Sequence, residues 1–241
     1  AGPPARWARR WPPLAAGAAL LGLCGAYKLE DLKEADHSIG MKLAVEEDDT
    51  DVLKGLLDFY VREQRVPLED LCTSHSNIFH YADYTPLHYA CLLDRDEHIR
   101  LIIKAGCSAD LETASGIRPL HAAAKEGSGK SAWALLEMGA DAVQMASERI
   151  VHNNDVPQRG HGNMNAATLA AEAGHVAVLR VLKDFGGPAA AALTDRDLNG
   201  EHSPSGWAPI HYAARKGHQG VLRFLTFEVG WAAGSPALRA E

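Results

Sequence analysis

The residues able to carry chemistry are few and do not converge. Ala124-Lys125-Glu126-Gly127-Ser128-Gly129-Lys130-Ser131 meets a relaxed phosphate-loop pattern, in which backbone amides and a lysine would cradle phosphates. Such a loop must follow a β-strand, whereas this one follows Leu120-His121-Ala122-Ala123 and reads as an inter-helix turn, so the match is accidental. Cys72, His75 and His80 could supply three zinc ligands, but the spacing fits no closed zinc signature and no fourth ligand is evident. Cys91 and Cys107 read as small packing residues. No Gly-x-Ser-x-Gly or His-Glu-x-x-His is present, and no nucleophile is followed by a recognisable base and orienter. Enzyme activity, a cofactor and a metal site are therefore not expected.

Composition places these residues in an ordinary globular chain. With 241 residues, 46% of them hydrophobic and 23% charged, and with 22 glycines and 12 prolines, disordered, collagen-like and disulfide-scaffold classes are excluded. The length suits one or two domains with a sizeable core. Residues 1–29 hold Arg6, Arg9, Arg10 and Lys28 and no acid, so against −7 for the whole chain the remainder carries −11. That body repels phosphate backbones, and nucleic acid is not an expected partner. The arginines and the apolar run from Leu14 to Ala26 resemble a targeting segment, the other reading being a disordered Ala/Pro-rich leader. About 13 residues are too few to span a bilayer, which takes roughly 20, so no membrane span is expected. Four cysteines without a pairing rhythm suit a reducing compartment, with the cytoplasm as the expected location, and imply no disulfide framework.

The elements that position these residues follow from an internal repeat. Thr85-Pro86-Leu87-His88-Tyr89-Ala90 and Arg118-Pro119-Leu120-His121-Ala122-Ala123 lie 33 residues apart. Ala208-Pro209-Ile210-His211-Tyr212-Ala213 is a third copy. Asn165-Ala166-Ala167-Thr168-Leu169-Ala170 is a fourth, lacking Pro and His but continuing to Gly174-His175 as Ala213 continues to Gly217-His218. Behind each comes an apolar pattern with helical spacing: Ile99, Leu101 and Ile102; Leu135 and Leu136; Val178, Leu179 and Leu182; Val221, Leu222 and Leu225. Gly106, Gly139-Ala140-Asp141 and Gly186 stand where these second helices should close.

These motifs resemble the ankyrin repeat. The resemblance implies an all-α, right-handed solenoid of about five helix-turn-helix units with β-turn fingers, at about 39–62, 85–108, 118–141, 165–188 and 208–229 of an ankyrin domain spanning 30–229, with residues 230–241 as a tail. The first unit, with Leu43-Ala44-Val45 inside, Val52, Leu53, Leu56 and Leu57 outside and an acidic turn from Glu46 to Asp51, is degenerate and reads as an amino-terminal cap. The regular finger interval is the nine residues 109–117. Intervals 63–84, 142–164 and 189–207 exceed it by 13, 14 and 10 residues, giving three lengthened finger loops. The finger turns should place Asp83, Gly116, Asn163 and Gly206 at positive φ.

For function, the resemblance implies non-catalytic binding of a protein partner through the concave face and finger loops, by a chain expected to be monomeric. The alternative is the regulatory or targeting part of a larger catalytic or membrane protein, of which this chain is a fragment. His88, His121 and His211, in the Pro-Leu-His position, are expected to hydrogen-bond neighbouring loops, as are His175 and His218 in their Gly-His turns. The residue before each Thr-equivalent reads Tyr84, Ile117, Met164 and Trp207, expected as an exposed apolar stripe for the partner unless the long insertions fold back over it. Beside it, Lys125, Glu126, Glu172, Arg215 and Lys216 are the expected polar contacts.

Overall fold

A computed structural model describes residues 29–33, 37–73, 83–146, 150–153, 156–159, 164–194 and 208–230. Five helix pairs follow one another through it. The inner helices are α2 (His37–Glu46), α5 (Pro86–Leu92), α7 (Pro119–Glu126), α9 (Ala166–Ala173) and α12 (Pro209–Lys216). The outer helices are α3 (Thr50–Asp58), α6 (Asp96–Lys104), α8 (Gly129–Glu137), α10 (Val176–Phe185) and α13 (Gln219–Arg223). Short π-helical turns, Phe59–Glu63 and Phe224–Glu228, extend the first and last outer helices. Each inner helix packs on the next inner helix, and α3, α6, α8 and α10 do the same outside. The helix α1 (Leu29–Lys33) closes the first pair, where Tyr60 donates its hydroxyl to the Leu32 carbonyl at 3.1 Å.

Local chemistry starts and stops these helices at fixed points. Thr85, Arg118 and Ala208 are extended caps followed by Pro at the first helical position, where a missing N–H costs nothing. Asn165, without a following Pro, caps α9 by accepting the Thr168 amide at 2.9 Å. Small buried residues, among them Ala90, Cys91, Ala123, Ala124, Ala170 and Ala213, let the inner helices approach, while Leu53, Ile99, Leu135, Leu179 and Val221 fill the space behind them.

Between inner and outer helix, every pair turns through one left-handed residue: Asp48, Asp94, Gly127, Gly174 and Gly217, with φ of 59°, 56°, 82°, 90° and 77°. The next pair locks onto this residue. Asp48 accepts from Arg95, and Asp94 accepts the Ser131 amide at 2.9 Å. Gly127 and Gly174 instead lie under the rings of His175 and His218, whose Nε2 atoms donate to the Lys125 and Glu172 carbonyls at 3.0 and 2.8 Å. A Cβ on Gly127 would stand 2.6 Å from His175 Nδ1, while one on Gly217 would meet nothing.

A second ladder joins the inner helices to the fingers. His88 takes the Thr85 hydroxyl on Nδ1 at 2.8 Å and gives Nε2–H to the Ile117 carbonyl at 3.1 Å. His121 accepts from the Arg118 amide and donates to Gln144 O at 2.9 Å, and His211 accepts from the Ala208 amide. Four of the five histidines expected to bond neighbouring loops do so, His88, His121, His175 and His218, while the bond of His211 to Ala208 is to the cap of its own helix. The pattern requires neutral imidazole, and burial lowers the pKa of His88 to about 4.

The lengthened intervals carry structure of their own. In the first lies α4 (Leu68–Thr73), in the second an antiparallel hairpin of β1 (Ile150–Asn153) and β2 (Val156–Arg159), and after α10 the helix α11 (Gly187–Thr194). The hairpin is an addition to the all-α expectation and sits in a finger, where the chain already reverses direction. Its base is closed by the Ala146 amide on the Met164 carbonyl at 3.0 Å. Two cysteine expectations are corrected. Cys72 of α4 and Cys107 form a disulfide with Cα atoms 5.5 Å apart, so neither is a plain packing thiol nor, for Cys72, a zinc ligand. The spacing of 35 residues gave no hint of it, because α4 comes over Gly106 only when Leu68 packs there. Gly116 is left-handed, at 82°, but Asp83 is not. The short finger needs a tight turn, with Thr113 N bonded to Ile117 O, whereas Asp83 ends a lengthened interval and its carboxylate accepts from the Ser115 amide and hydroxyl. Asn163, Gly206, His75 and His80 lie outside the described residues.

Three outcomes are expected. Gly217→Ala lowers unfolding free energy by about 1–2 kcal/mol, the left-handed penalty, and Gly127→Ala by about 1 kcal/mol more through the displaced His175 bond; urea melts of both variants measure the difference. The unfolded chain binds a proton at His88 near pH 6.5 that the native chain refuses until about 4. Stability is therefore full above 6.5 and falls by up to about 3 kcal/mol as pH drops from 6.5 to 4, and His88→Gln flattens that slope in melts taken across the window. Reduction of Cys72–Cys107, which closes a 35-residue loop, costs about 3–4 kcal/mol, read as a lower melting midpoint with reductant and no such change in a Cys72→Ser, Cys107→Ser variant.

Candidate functional site

The left-handed residues fix what the inner helices present at their ends. The two residues before each are Glu46 and Glu47, Leu92 and Leu93, Lys125 and Glu126, Glu172 and Ala173, and Arg215 and Lys216. Two positions before each pair the chain is buried by the stack, at Ala44, Ala90, Ala123, Ala170 and Ala213. Glu126, Arg215 and Lys216 are exposed, and the other members of the row are half-buried. The row is continuous where bonds can be traced: His175 and His218 anchor the backbone of Lys125 and Glu172, and Lys216 Nζ lies 3.3 Å from Glu172 Oε1. All five polar candidates from the sequence therefore fall on this one edge.

The apolar candidates do not. Tyr84, Ile117 and Met164 are only 4%, 7% and 6% exposed, which corrects the expectation of an exposed stripe. Ile117 decides the cause, because its finger is not lengthened and it is buried all the same. At Tyr84, Ile117 and Met164 the side chain is turned inward, with the Tyr84 ring centroid 5.4 Å from that of His88. At Ile117 the stack covers the side chain without help from an insertion. Trp207 lies outside the described residues.

At the first pair the row is acidic and the electrostatics shift accordingly. Burial, and then the charge of Glu47, raises the pKa of Glu46; burial, and then the charge of Glu46, pushes Tyr89 up to about 12. Nearby, Asp48 is engaged by Arg95, with His98 Nδ1 at 3.7 Å, and Asp49 caps α3 through the Val52 amide. Lys42 occupies the position that His88, His121 and His211 hold in their units, six residues before the left-handed one. It is fully buried, and burial lowers its pKa to about 8 while the charge of Asp83 pulls the other way. From the sequence Glu46 and Glu47 are expected only as part of an acidic turn, and Leu92 and Leu93 are not singled out. Their signal was Asp48 and Asp94, residue types that tolerate the left-handed turn and so mark the same register as the glycines.

The phosphate-loop pattern dissolves into this architecture. Gly127 is the inter-helix turn, Gly129 to Ser131 begin α8, and the Ser131 amide is given to the Asp94 carboxylate, an anion already in place. Cys91 is fully buried and its thiol pKa is pushed up by burial. Among the described residues no group of three or more His, Cys, Asp or Glu could hold a metal ion, and no helix is long and apolar enough to cross a membrane.

No curated protein matches the chain. The family model described as ankyrin repeats, in three copies, matches residues 41–146 and 144–230, which together are well over half of the sequence. Helix pairs turning through left-handed residues, Pro-Leu-His segments bonded to successive fingers and this family match agree, and the chain belongs to the ankyrin repeat family.

Proposed function

We propose that the chain is a non-catalytic adaptor that binds a protein partner along the inner-helix edge and the adjoining fingers. Ankyrin repeats are in general protein–protein interaction modules and are typically non-catalytic. The observation that carries the finer reading is the row of helix ends. Glu126, Arg215 and Lys216 are exposed, and Lys125 and Glu172 half-buried, in units whose neighbouring side chains are committed to stacking. Mixed charges at such an edge set orientation and association rate more than affinity. The −11 charge outside the leader favours a protein over a nucleic acid, and one copy of the chain suffices.

Cytoplasmic residence is the sequence expectation, and it would keep Cys72 and Cys107 as thiols. Their pairing favours an oxidising compartment instead. Mass spectrometry of alkylated, unreduced protein from cells separates the two locations.

A pull-down with residues 30–241 captures the partner. Replacing Glu126, Arg215 and Lys216 together by Ala is expected to weaken that capture at least tenfold, about 1.4 kcal/mol, with helicity by circular dichroism unchanged. Undiminished binding by the triple variant would place the partner elsewhere.

A further inference from the structure

On the outer side of the stack, α3 and α6 leave a groove of about 300 Å³ between them, lined by Asp51 and Lys54 from the first and by Glu97, Arg100, Leu101 and Lys104 from the second. That volume is at the low end of the range for ligand sites. Counted from the left-handed residues Asp48 and Asp94, Asp51 and Glu97 stand at the third position and Lys54 and Arg100 at the sixth. Acid thus stands beside acid at one level of the groove and cation beside cation at the next, with Lys104 beyond. We propose that this groove binds an extended protein segment with a basic and an acidic side chain two residues apart, the base at Asp51 and Glu97 and the acid among Lys54, Arg100 and Lys104. The inference takes only the class of partner from the protein-binding reading above and adds a second place, on the outer helices.

The fold itself leaves these charges unused. Among the described residues, the side chains of Asp51, Lys54, Glu97 and Lys104 make no hydrogen bond or ion pair, and all four are exposed. Arg100 is engaged by Glu137 of the next unit, which fixes it at the groove wall. The two outer helices run in parallel, and each prefers acids near its start and cations towards its end. Like therefore meets like across the groove, neither level is neutralised by the packing, and a ligand with one charge of each sign neutralises both. The spacing follows from the helix rise. Lys54 and Arg100 lie about 4.5 Å along the axis from the acids and Lys104 about 10 Å, so an anion held among them sits roughly 7 Å from the acidic level. Residues i and i+2 of an extended chain project to one face about 6.6 Å apart, whereas adjacent residues point to opposite faces and cannot fill both levels. Half-buried Leu101 in the same wall gives the methylenes of a lysine or glutamate an apolar contact.

The probes are acetylated and amidated pentapeptides, titrated into the isotope-labelled full chain and followed through its backbone amide resonances. Gly-Lys-Ala-Glu-Gly is expected to shift the amides of Asp51, Lys54, Glu97 and Leu101. At low salt it should bind about fivefold tighter than Gly-Lys-Glu-Ala-Gly, which has the same composition, and the difference should shrink as salt rises. Asp51→Lys with Glu97→Lys switches the preference to Gly-Glu-Ala-Glu-Gly, and Lys54→Glu with Lys104→Glu switches it to Gly-Lys-Ala-Lys-Gly, gains that no loss of folding can imitate. Equal affinity for the two isomeric peptides, no binding of either, or failure of either switch overturns the proposal. A further probe, 6-aminohexanoate, carries an ammonium and a carboxylate without a peptide backbone. It is expected to bind more weakly than Gly-Lys-Ala-Glu-Gly, and equal binding overturns the protein segment in favour of a small dipolar molecule. Replacement of Glu126, Arg215 and Lys216 by Ala leaves these titrations unchanged, so the outer groove and the inner edge stand or fall separately.

Discussion

Everything in this stack depends on the joint at the turn between inner and outer helix. One residue there must be left-handed, and the following unit must find something at that residue to hold. The chain solves this in two ways. In the first two units the residue is Asp, whose carboxylate reaches the next unit through Arg95 or the Ser131 amide. From the third unit on it is Gly, and at Gly127 and Gly174 the space a Cβ would fill is taken by the next imidazole, which bonds to a carbonyl just upstream. Both solutions satisfy buried polar groups at the joint, and both fix the spacing between units.

Because the joint and the Pro-Leu-His ladder consume so many groups, little is left to bind with. The histidines that look reactive in the sequence are engaged on both ring nitrogens at His88 and His121, and burial keeps His88 neutral. Tyr84, Ile117 and Met164 are core. The helix ends just before the joint escape, since a residue there has turned past the neighbouring unit. A surface assembled in this way is set by the least constrained positions of the repeat, which is why its charges vary from unit to unit while the residues beneath hardly do. Lys42 is the exception inside the stack, a buried lysine in a position held elsewhere by imidazole.

The lengthened intervals leave the left-handed turns between inner and outer helices in place. The helix α11 packs on α10 and α9 and buries Ala189, Ala192 and Leu193 there. The first interval is held covalently, by the disulfide between α4 and the close of the second unit, and Leu68 over Gly106 brings the two cysteines within reach.

The sequence by itself determined the repeat, its register, the positions of the caps and the roles of the histidines. These follow from local chemistry: a Pro that can only start a helix, a Gly or Asp that can turn left-handed, and apolar residues at helical spacing. Gly116 was legible for that reason, and so were Lys125, Glu172 and Arg215 as members of one row. The tertiary structure decided the burial of Tyr84, Ile117 and Met164, the pairing of Cys72 with Cys107 and the ordinary backbone of Asp83. Each of these depends on residues far along the chain that meet only when one unit stacks on the next or an insertion folds back, and no local pattern records such a meeting.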